Sequence, residues 1–565
     1  MANIFAGLEF LLARTADGSN NDGDNNNAND VGEYGDAYLR ITPAQYVTNF
    51  SDGTFGGPFS GIPGPNGMAL PVAPTNPPNI PIPFQNLMVG DLPQAHAVSD
   101  AVMALGPNNQ NIPSSFAVNE TFDFFGQLLT HDIAEASTAG SGDLALLIDG
   151  LPFPFGRTPG EIDDEGVRQQ HNDETAFFDL SMVYGNNQAR LDLARDDLAG
   201  GQQSAKLLLG ADGLLPTIKE VGIDSGKTSL EVLQIFTEPG FGGLPNLANN
   251  PNPNPATYEN LFYAGDNRAN QQAPLIALQT VWAREHNYQV DQLTPYANAH
   301  GWTQDQLFEA ARAINEAEFQ HVVYDEYVPT LIGTQSDDLL AAYKVFNPNP
   351  IPAGVINEWT TVAFRFGHDQ SSNDYTLLNA DGSTYLNISL GNAFTLAGLA
   401  QDVPGAGHSA TDLDAWIRGL NAQFAQEIDG FVADGNRAVL FGLATADLEA
   451  FDIQRGRDHG VWNYNALRAG LGLSTYASFA AFGAANNIDA ARLQALSDVY
   501  GGDINKLDSL VGGLLEKRYA DSQLGETFTL LNAIQFDALK NGDAFFYENR
   551  LAGNPELLAQ IKGTT

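Results

Sequence analysis

From about residue 119 onward, apolar side chains recur at three- and four-residue spacing, the period of a helix with one buried face. The stretches ETFDFFGQLLTHDIAEA, APLIALQTVWAREHNYQVDQL, TQDQLFEAARAINEAEFQHVVYDEYV, INEWTTVAFRFGH, LDAWIRGLNAQFAQEIDGFV, NIDAARLQALSDVY and DINKLDSLVGGLLEKRY all carry it. Thr303, Asp412 and Asp503 stand where N-caps of three of these helices belong, because a short polar side chain there accepts from free backbone N–H groups. Strand signals are sparse and short, and no internal repeat or clear linker interrupts this part of the chain. The pattern predicts a mainly α, large single-domain fold with little β-structure. Its loop-rich N-terminal arm, 1–115, packs on a helical domain over 116–565.

The arm has a different composition. DGSNNDGDNNNAND and PVAPTNPPNIPIP are loop sequences, dense in Asn, Asp, Gly and Pro. Counted from Asp22, the first matches the EF-hand calcium template at Asp24, Asn26, Asp30 and the closing Glu33. Asn27 stands where the sharp turn prefers glycine. A polar surface loop explains the same residues, since so many Asn and Asp meet such a template by chance.

Charge and composition narrow the partners. Asp and Glu number 68 against 26 Lys and Arg, a net charge of −42 at pH 7. Such a field repels nucleic acid and anionic membranes. The absence of cysteine removes disulfides, thiolate catalysis, iron–sulfur clusters and thiolate-ligated haem together. Any metal is therefore held by His, carboxylates or neutral oxygens. MANIFAGLEFLLARTADG has an apolar run broken by Glu9 with no basic residue before it, which is not the pattern of a secretory leader. No stretch has the length and apolarity of a membrane span.

Candidate chemistry sits in five segments. In FGQLLTHDIAEAS, Gln127 and His131 are four residues apart and share a helix face, while Asp132 is turned away by about 100°. In ETAFFDLSMVYG, oxygen groups alternate: the Thr175 hydroxyl, the Phe177 carbonyl, the Asp179 carboxylate and the Ser181 hydroxyl. A hard cation takes several oxygens at about 2.4 Å, and Asp132 would complete that shell. FRFGHDQSS places His368 after an apolar stretch and a glycine. AFDIQRGRDHGVWNYNALR contains Asp452, Arg455 and His459, and YAGDNRANQQAP sets Arg268 just before a long helix. Taken singly, each has a purely structural explanation, because buried imidazoles and hydroxyls are commonly hydrogen-bonded within packing.

Together these segments resemble the animal-type haem peroxidases of the peroxidase–cyclooxygenase superfamily, which has bacterial members. The likeness runs in the family's order: RTADGSNN, DLPQAHAVS, GQLLTHD, FFDLSMVYG, AGDNRANQ, WAREHN, AEFQHVVYDEYVPTLIG, FRFGH, DIQRGRDHG and GDAFFYENR. The resemblance implies that His368 is the haem-iron ligand and Asp452 the partner of its other ring nitrogen. Many members carry Asn at that place. Arg365 and Arg455 correspond to the haem-propionate partners. His131 corresponds to the base facing peroxide, Arg268 to its guanidinium neighbour, and Gln127 to the amide that orders water and small anions. Asp132, Thr175, Phe177, Asp179 and Ser181 correspond to calcium ligands. His286, His321 and His459 keep the structural explanation. The implied chemistry is reduction of hydrogen peroxide through a ferryl haem, then oxidation of iodide, bromide, thiocyanate or phenols.

The departures are informative. Thr130 and Gln271 occupy positions where mammalian members carry carboxylates esterified to haem, and Gln272 stands where one member has a sulfonium-forming Met. The expected cofactors are therefore non-covalent haem b and Ca2+. A fatty-acid dioxygenase of the same superfamily needs a Tyr three residues before the iron ligand, where this chain has Arg365. A non-catalytic adhesion or matrix protein on the same fold is the remaining alternative. By analogy with exported bacterial relatives, the expected setting is extracellular, reached without a leader of the usual kind, with the cytoplasm as the alternative. Oligomeric state is not encoded in any feature of the sequence.

Overall fold

The computed structural model of the protein describes residues 4–21, 32–42, 44, 92–105, 112–136, 144–148, 151–155, 158, 160–162, 168–198, 202–210, 213–237, 258–337, 353–396, 409–437, 447–461 and 463–563. Asp22, Asp24, Asn26 and Asp30 of the calcium-loop template lie outside these residues. The described structure is mainly helical, with four separate two-stranded antiparallel pairs of strands. No described helix is long and apolar enough to cross a membrane.

Two helices form the central pair. Ala273–His300 runs to Gly301, whose left-handed backbone (φ 70°) ends it, and Gln304–Val322 returns against it. Thr303 caps the second helix in a reciprocal box with Gln306, as the sequence predicts. Trp282 of the first meets Phe319 of the second edge to face, with ring centroids 5.1 Å apart. The return helix passes into a π-helical turn, Val323–Tyr327, before Val328–Ile332. The helix Glu120–Ile133 packs against this pair. It starts at Asn119, whose side chain accepts from Phe122 N, and its buried face carries Phe124, Phe125, Leu128 and Leu129.

Three expectations need correction. The helix holding Trp416 spans Ala410–Ala422 and is capped by Ser409; Asp412 lies inside its first turn and accepts from the Tyr385 hydroxyl. INEWTTVAFRFGH does not form one amphipathic helix. It forms a π-helical turn, Trp359–Ala363, then a separate short helix, Gly367–Gln370. Asp503 caps a 3-10 turn at Ile504–Lys506, and the following α-helix, Ser509–Leu514, is distinct from it.

A buried charge network joins both ends of the described chain to the central pair. Arg14 donates to both Asp543 oxygens at 2.8 and 2.7 Å, and its carbonyl accepts from Arg312. Glu316 takes Arg312 at 2.6 Å and Arg550 at 2.6 Å. Arg14 also lies over the Phe177 and Phe545 rings. Burying so many charges is tolerated because each has an opposite partner in contact.

Candidate active site

The Glu120 helix delivers His131 and Asp132 at its C-terminal end. His131 is buried, and its Nδ1 is sealed without a hydrogen-bond partner; the closest acidic oxygen, Asp266 Oδ1, is 3.9 Å away. Burial first, then the neighbouring Arg268 guanidinium, pushes the imidazole down to about 3, so the ring is neutral near pH 7. Arg268 comes from a 3-10 turn, Asn267–Gln271, that opens the long central helix and is capped by Asp266. Its Nη1 and Nη2 donate to the carbonyls of Ala134 and His131 at 2.8 and 3.1 Å. Its Nε contacts both Asp266 oxygens at 3.0 Å, and Nη2 also donates to Asp266. The expected neighbours are therefore together, with the guanidinium clamped on the Asp266 carboxylate, to which the sequence motifs give no role. Gln127 is half-buried one turn earlier. Its amide donates to Gln271 Oε1 at 3.2 Å and accepts from Gln272.

The second histidine is built differently. His368 lies in the short helix after the π-helical turn, and its side chain stays 29 % exposed although both segments around it are packed. Nδ1 bonds Asp452 Oδ2 at 2.7 Å, which directs Nε2 away from that carboxylate. The His368 carbonyl accepts from Asn436 Nδ2 at 2.9 Å, fixing the backbone below the ring. Asp452 belongs to the helix Leu448–Asp458, which Asp447 caps. Glu449, one turn before Asp452, also faces the ring at 3.7 Å from Nδ1, and both its oxygens are buried without a hydrogen bond. Sequence reasoning missed Glu449, although its three-residue spacing from Asp452 puts both on one helix face.

Two arginines lie near the carboxylate behind this histidine. Arg365 donates from Nε to the Thr360 carbonyl at 2.8 Å and lies 3.8 Å from Asp452 Oδ1. Arg455 donates to Thr158 Oγ1 at 2.8 Å, and burial pushes its guanidinium down to about 10. The two histidine regions are tied mechanically. Ser371 Oγ donates to Asp123 Oδ2 at 2.8 Å, and Asp123 lies on the Glu120 helix eight residues before His131, roughly 12 Å along its axis.

The oxygen-rich loop lies on the far side of the same helix. Asp132 and Asp179 are both fully buried. Ser181 Oγ donates to the Asp132 carbonyl at 2.6 Å and is 3.2 Å from Asp132 Oδ1. Thr175 Oγ1 meets Asp179 Oδ2 at 3.1 Å, and the Phe177 carbonyl accepts from Asp179 N. Leu180, between them, has a left-handed backbone (φ 60°), a conformation that costs a non-glycine residue about 1–3 kcal/mol. Burial raises the proton affinity of both carboxyls, with Asp179 pushed up to about 6 despite Arg14 and Arg312 nearby. The two buried carboxylates, the Thr175 and Ser181 hydroxyls and the Phe177 carbonyl are oxygen donors of the kind a hard dication takes, and backbone N–H groups of Leu180, Ser181 and Met182 hold the carboxylates in place.

The remaining predicted histidines are structural in their contacts. His286 bonds Tyr184 Oη and the Ala205 carbonyl, both at 2.9 Å. His459 bonds Asn357 Oδ1 and Thr158 Oγ1, both at 2.8 Å. His321 lies 2.6 Å from Asp325.

The donor set also fits a haem. One imidazole keeps a nitrogen free for iron and has a carboxylate behind it, two guanidiniums lie near that carboxylate, and a second, neutral imidazole stands apart with a guanidinium neighbour. The comparisons with known proteins point the same way. The family model for animal haem peroxidase matches residues 13–565. Peroxidasin of Drosophila melanogaster is 31% identical over 436 residues, covering 76% of this chain and 26% of that protein. Peroxidase skpo-1 of Caenorhabditis elegans is 30% identical over 467 residues, covering 79% of this chain and 62% of that protein. The chain thus spans a quarter to three-fifths of these relatives' lengths. In fold, it is similar to peroxidase A from Dictyostelium discoideum, with a TM-score of 0.71 at 22% identity over 98% of this chain and 95% of that one. The fatty acid alpha-dioxygenase of Arabidopsis thaliana gives 0.69 at 17% identity, over 98% and 79%.

Proposed function

The chain belongs to the animal haem peroxidase family, and from that premise we propose that it is a peroxidase carrying non-covalent haem b and calcium. Membership implies haem binding and hydrogen peroxide as a substrate. The carrying observation is the contrast between a neutral His131 beside Arg268 and a His368 bonded to Asp452.

When bound, haem supplies the two electrons that reduce peroxide. Everything else falls to side chains. His368 Nε2 is the iron ligand, and Asp452 orients it by holding Nδ1–H and makes it a stronger electron donor. Arg365 and Arg455 hold the propionates through forked N–H groups. His131 Nε2 takes a proton from peroxide and returns it to the departing oxygen, because Nδ1 is sealed against Asp266. Arg268 steadies the negative charge that builds up there, from a place fixed by Asp266. Gln127, shared between Gln271 and Gln272, positions water or a small anion beside His131. Calcium held by Asp132, Thr175, Phe177, Asp179 and Ser181 anchors the residue next to His131.

Thr130 and Gln271 cannot form carboxylic esters, so the haem is held by iron coordination, propionate pairing and packing, without a covalent link. The donors that suit this arrangement are iodide, bromide, thiocyanate and phenols. A dioxygenase reading draws on the similar fold of the plant enzymes but meets Arg365, bonded to the Thr360 carbonyl, where it needs a reactive phenol. The test is acid–solvent extraction of the haem-loaded protein, followed by turnover of peroxide with iodide, bromide, a phenol and a polyunsaturated fatty acid. Pigment released in full and oxidised anion or phenol support the proposal. Retained pigment refutes the non-covalent assignment, and a lipid hydroperoxide formed from oxygen refutes the peroxidase assignment.

A further inference from the structure

Just beyond the Glu120 helix, Asp266 meets two further carboxylates that none of these roles uses. Glu135, Glu174 and Asp266 come from three separate segments and are 4%, 0% and 0% exposed. One oxygen from each lies within 4.8 Å of the other two. Both Glu174 oxygens and Glu135 Oε2 are sealed from solvent and receive no hydrogen bond. The second Glu135 oxygen has a long 3.5 Å contact from Asn267 Nδ2. The segments are clamped in place from behind. Asn172 accepts from Glu135 N at 2.9 Å and donates to the Glu174 carbonyl at 2.9 Å, while Asp173 N donates to the Glu135 carbonyl.

We propose that Glu135, Glu174 and Asp266 form a binding site for a divalent cation of the calcium class, separate from the Asp132–Asp179 site. A hard ion with oxygens at about 2.4 Å sets opposite donors about 4.8 Å apart, and the three oxygens lie within 4.8 Å of one another. An all-oxygen set without imidazole or thiolate selects against softer metals. Charge supplies the second reason. Asp266 is matched by Arg268. Arg190, the other guanidinium acting on the group, donates to the Asn186 side chain and the Gly265 carbonyl. Three buried carboxylates thus share two guanidiniums, Arg190 and Arg268, and a dication offsets the negative charge left over. Asp266 is shared between this ion and Arg268, whose Nη2 also holds the His131 carbonyl. The ion is thus a positioning element for the side of the site that receives peroxide, and it does not depend on the calcium assignment above.

The test counts metal on the full-length, haem-loaded protein equilibrated with calcium and freed of excess, using elemental analysis. Glu174→Gln is expected to hold one ion per chain fewer than the wild type, and Asp179→Asn also one fewer, independently. An unchanged count in both Glu174→Gln and Glu135→Gln overturns the proposal and assigns the missing charge balance to a proton. An ion lost in Glu174→Gln with none lost in Asp179→Asn supports this site and refutes the other. If neither glutamate variant folds, crystals of the wild type soaked in Tb3+ decide the matter. An anomalous peak among the three carboxylates supports the site, and none there overturns it.

Discussion

Around His131 the closest charged side chains are a guanidinium and the carboxylate clamped to it, and the ring itself forms no hydrogen bond at Nδ1. Around His368 two carboxylates face the same ring nitrogen, one of them bonded at 2.7 Å. The same side chain is thus set in opposite electrostatic surroundings. A proton acceptor must stay neutral at working pH, which burial and a nearby cation enforce. An iron ligand must be rich in electrons, which a carboxylate on its far nitrogen provides.

The sharpest way to break this contrast is to remove the proposed iron ligand. His368→Ala is expected to lose most of its bound haem, read as loss of the intense haem absorption band after gel filtration. Next comes His131→Ala, which should keep its haem and slow peroxide cleavage by about 10²–10⁴-fold, measured by stopped-flow mixing. If both variants lose haem equally, the two histidines do not differ in role. Exchanging charge for amide behind the ligand is a milder intervention. Asp452→Asn should keep haem, raise the reduction potential of the iron and lower turnover by about 10-fold, within the span for partners of metal ligands.

A separate check lies in the pH dependence of stability. The folded value of His131 is lowered to about 3, against about 6.5 in an unfolded chain. Between those values the unfolded state binds more protons, so this group's contribution falls as the pH drops through that window. The stability of the wild type relative to His131→Gln should accordingly fall between pH 7 and pH 4 in denaturant titrations. A relative stability that stays level or rises would show that the ring is not held neutral in the folded protein.

The helical class, the Glu120 helix and the pairing of His368 with Asp452 were legible in the sequence. Periodicity marks a buried face, and the family's motifs fix the order of segments. What escaped was long-range or local in ways that periodicity does not encode. The INEWTTVAFRFGH stretch has the apolar spacing of a helix, yet Trp359 stacks on Phe364 with ring centroids 4.4 Å apart in a wider turn, and the chain then breaks before His368. Ser409 took the cap assigned to Asp412 because Tyr385, from a hairpin, claims that carboxylate. Asp266 sits two residues from Arg268, where adjacency alone gives no hint that the pair would close on itself. The meeting of Glu135 with Glu174 depends on Asn172 bridging two segments, which no single-segment pattern reveals.

The union of Arg14 with Asp543, 529 residues later, has a consequence for how the protein is made. While the chain leaves the ribosome from its N-terminus, Arg14, Arg312 and Glu316 all emerge before the aspartate and Arg550 that complete their network. The central helix pair can therefore form during synthesis but cannot settle its charges until the last stretch is released. A ribosome stalled short of residue 543 should hold a nascent chain that proteases still cut at the Arg14 end.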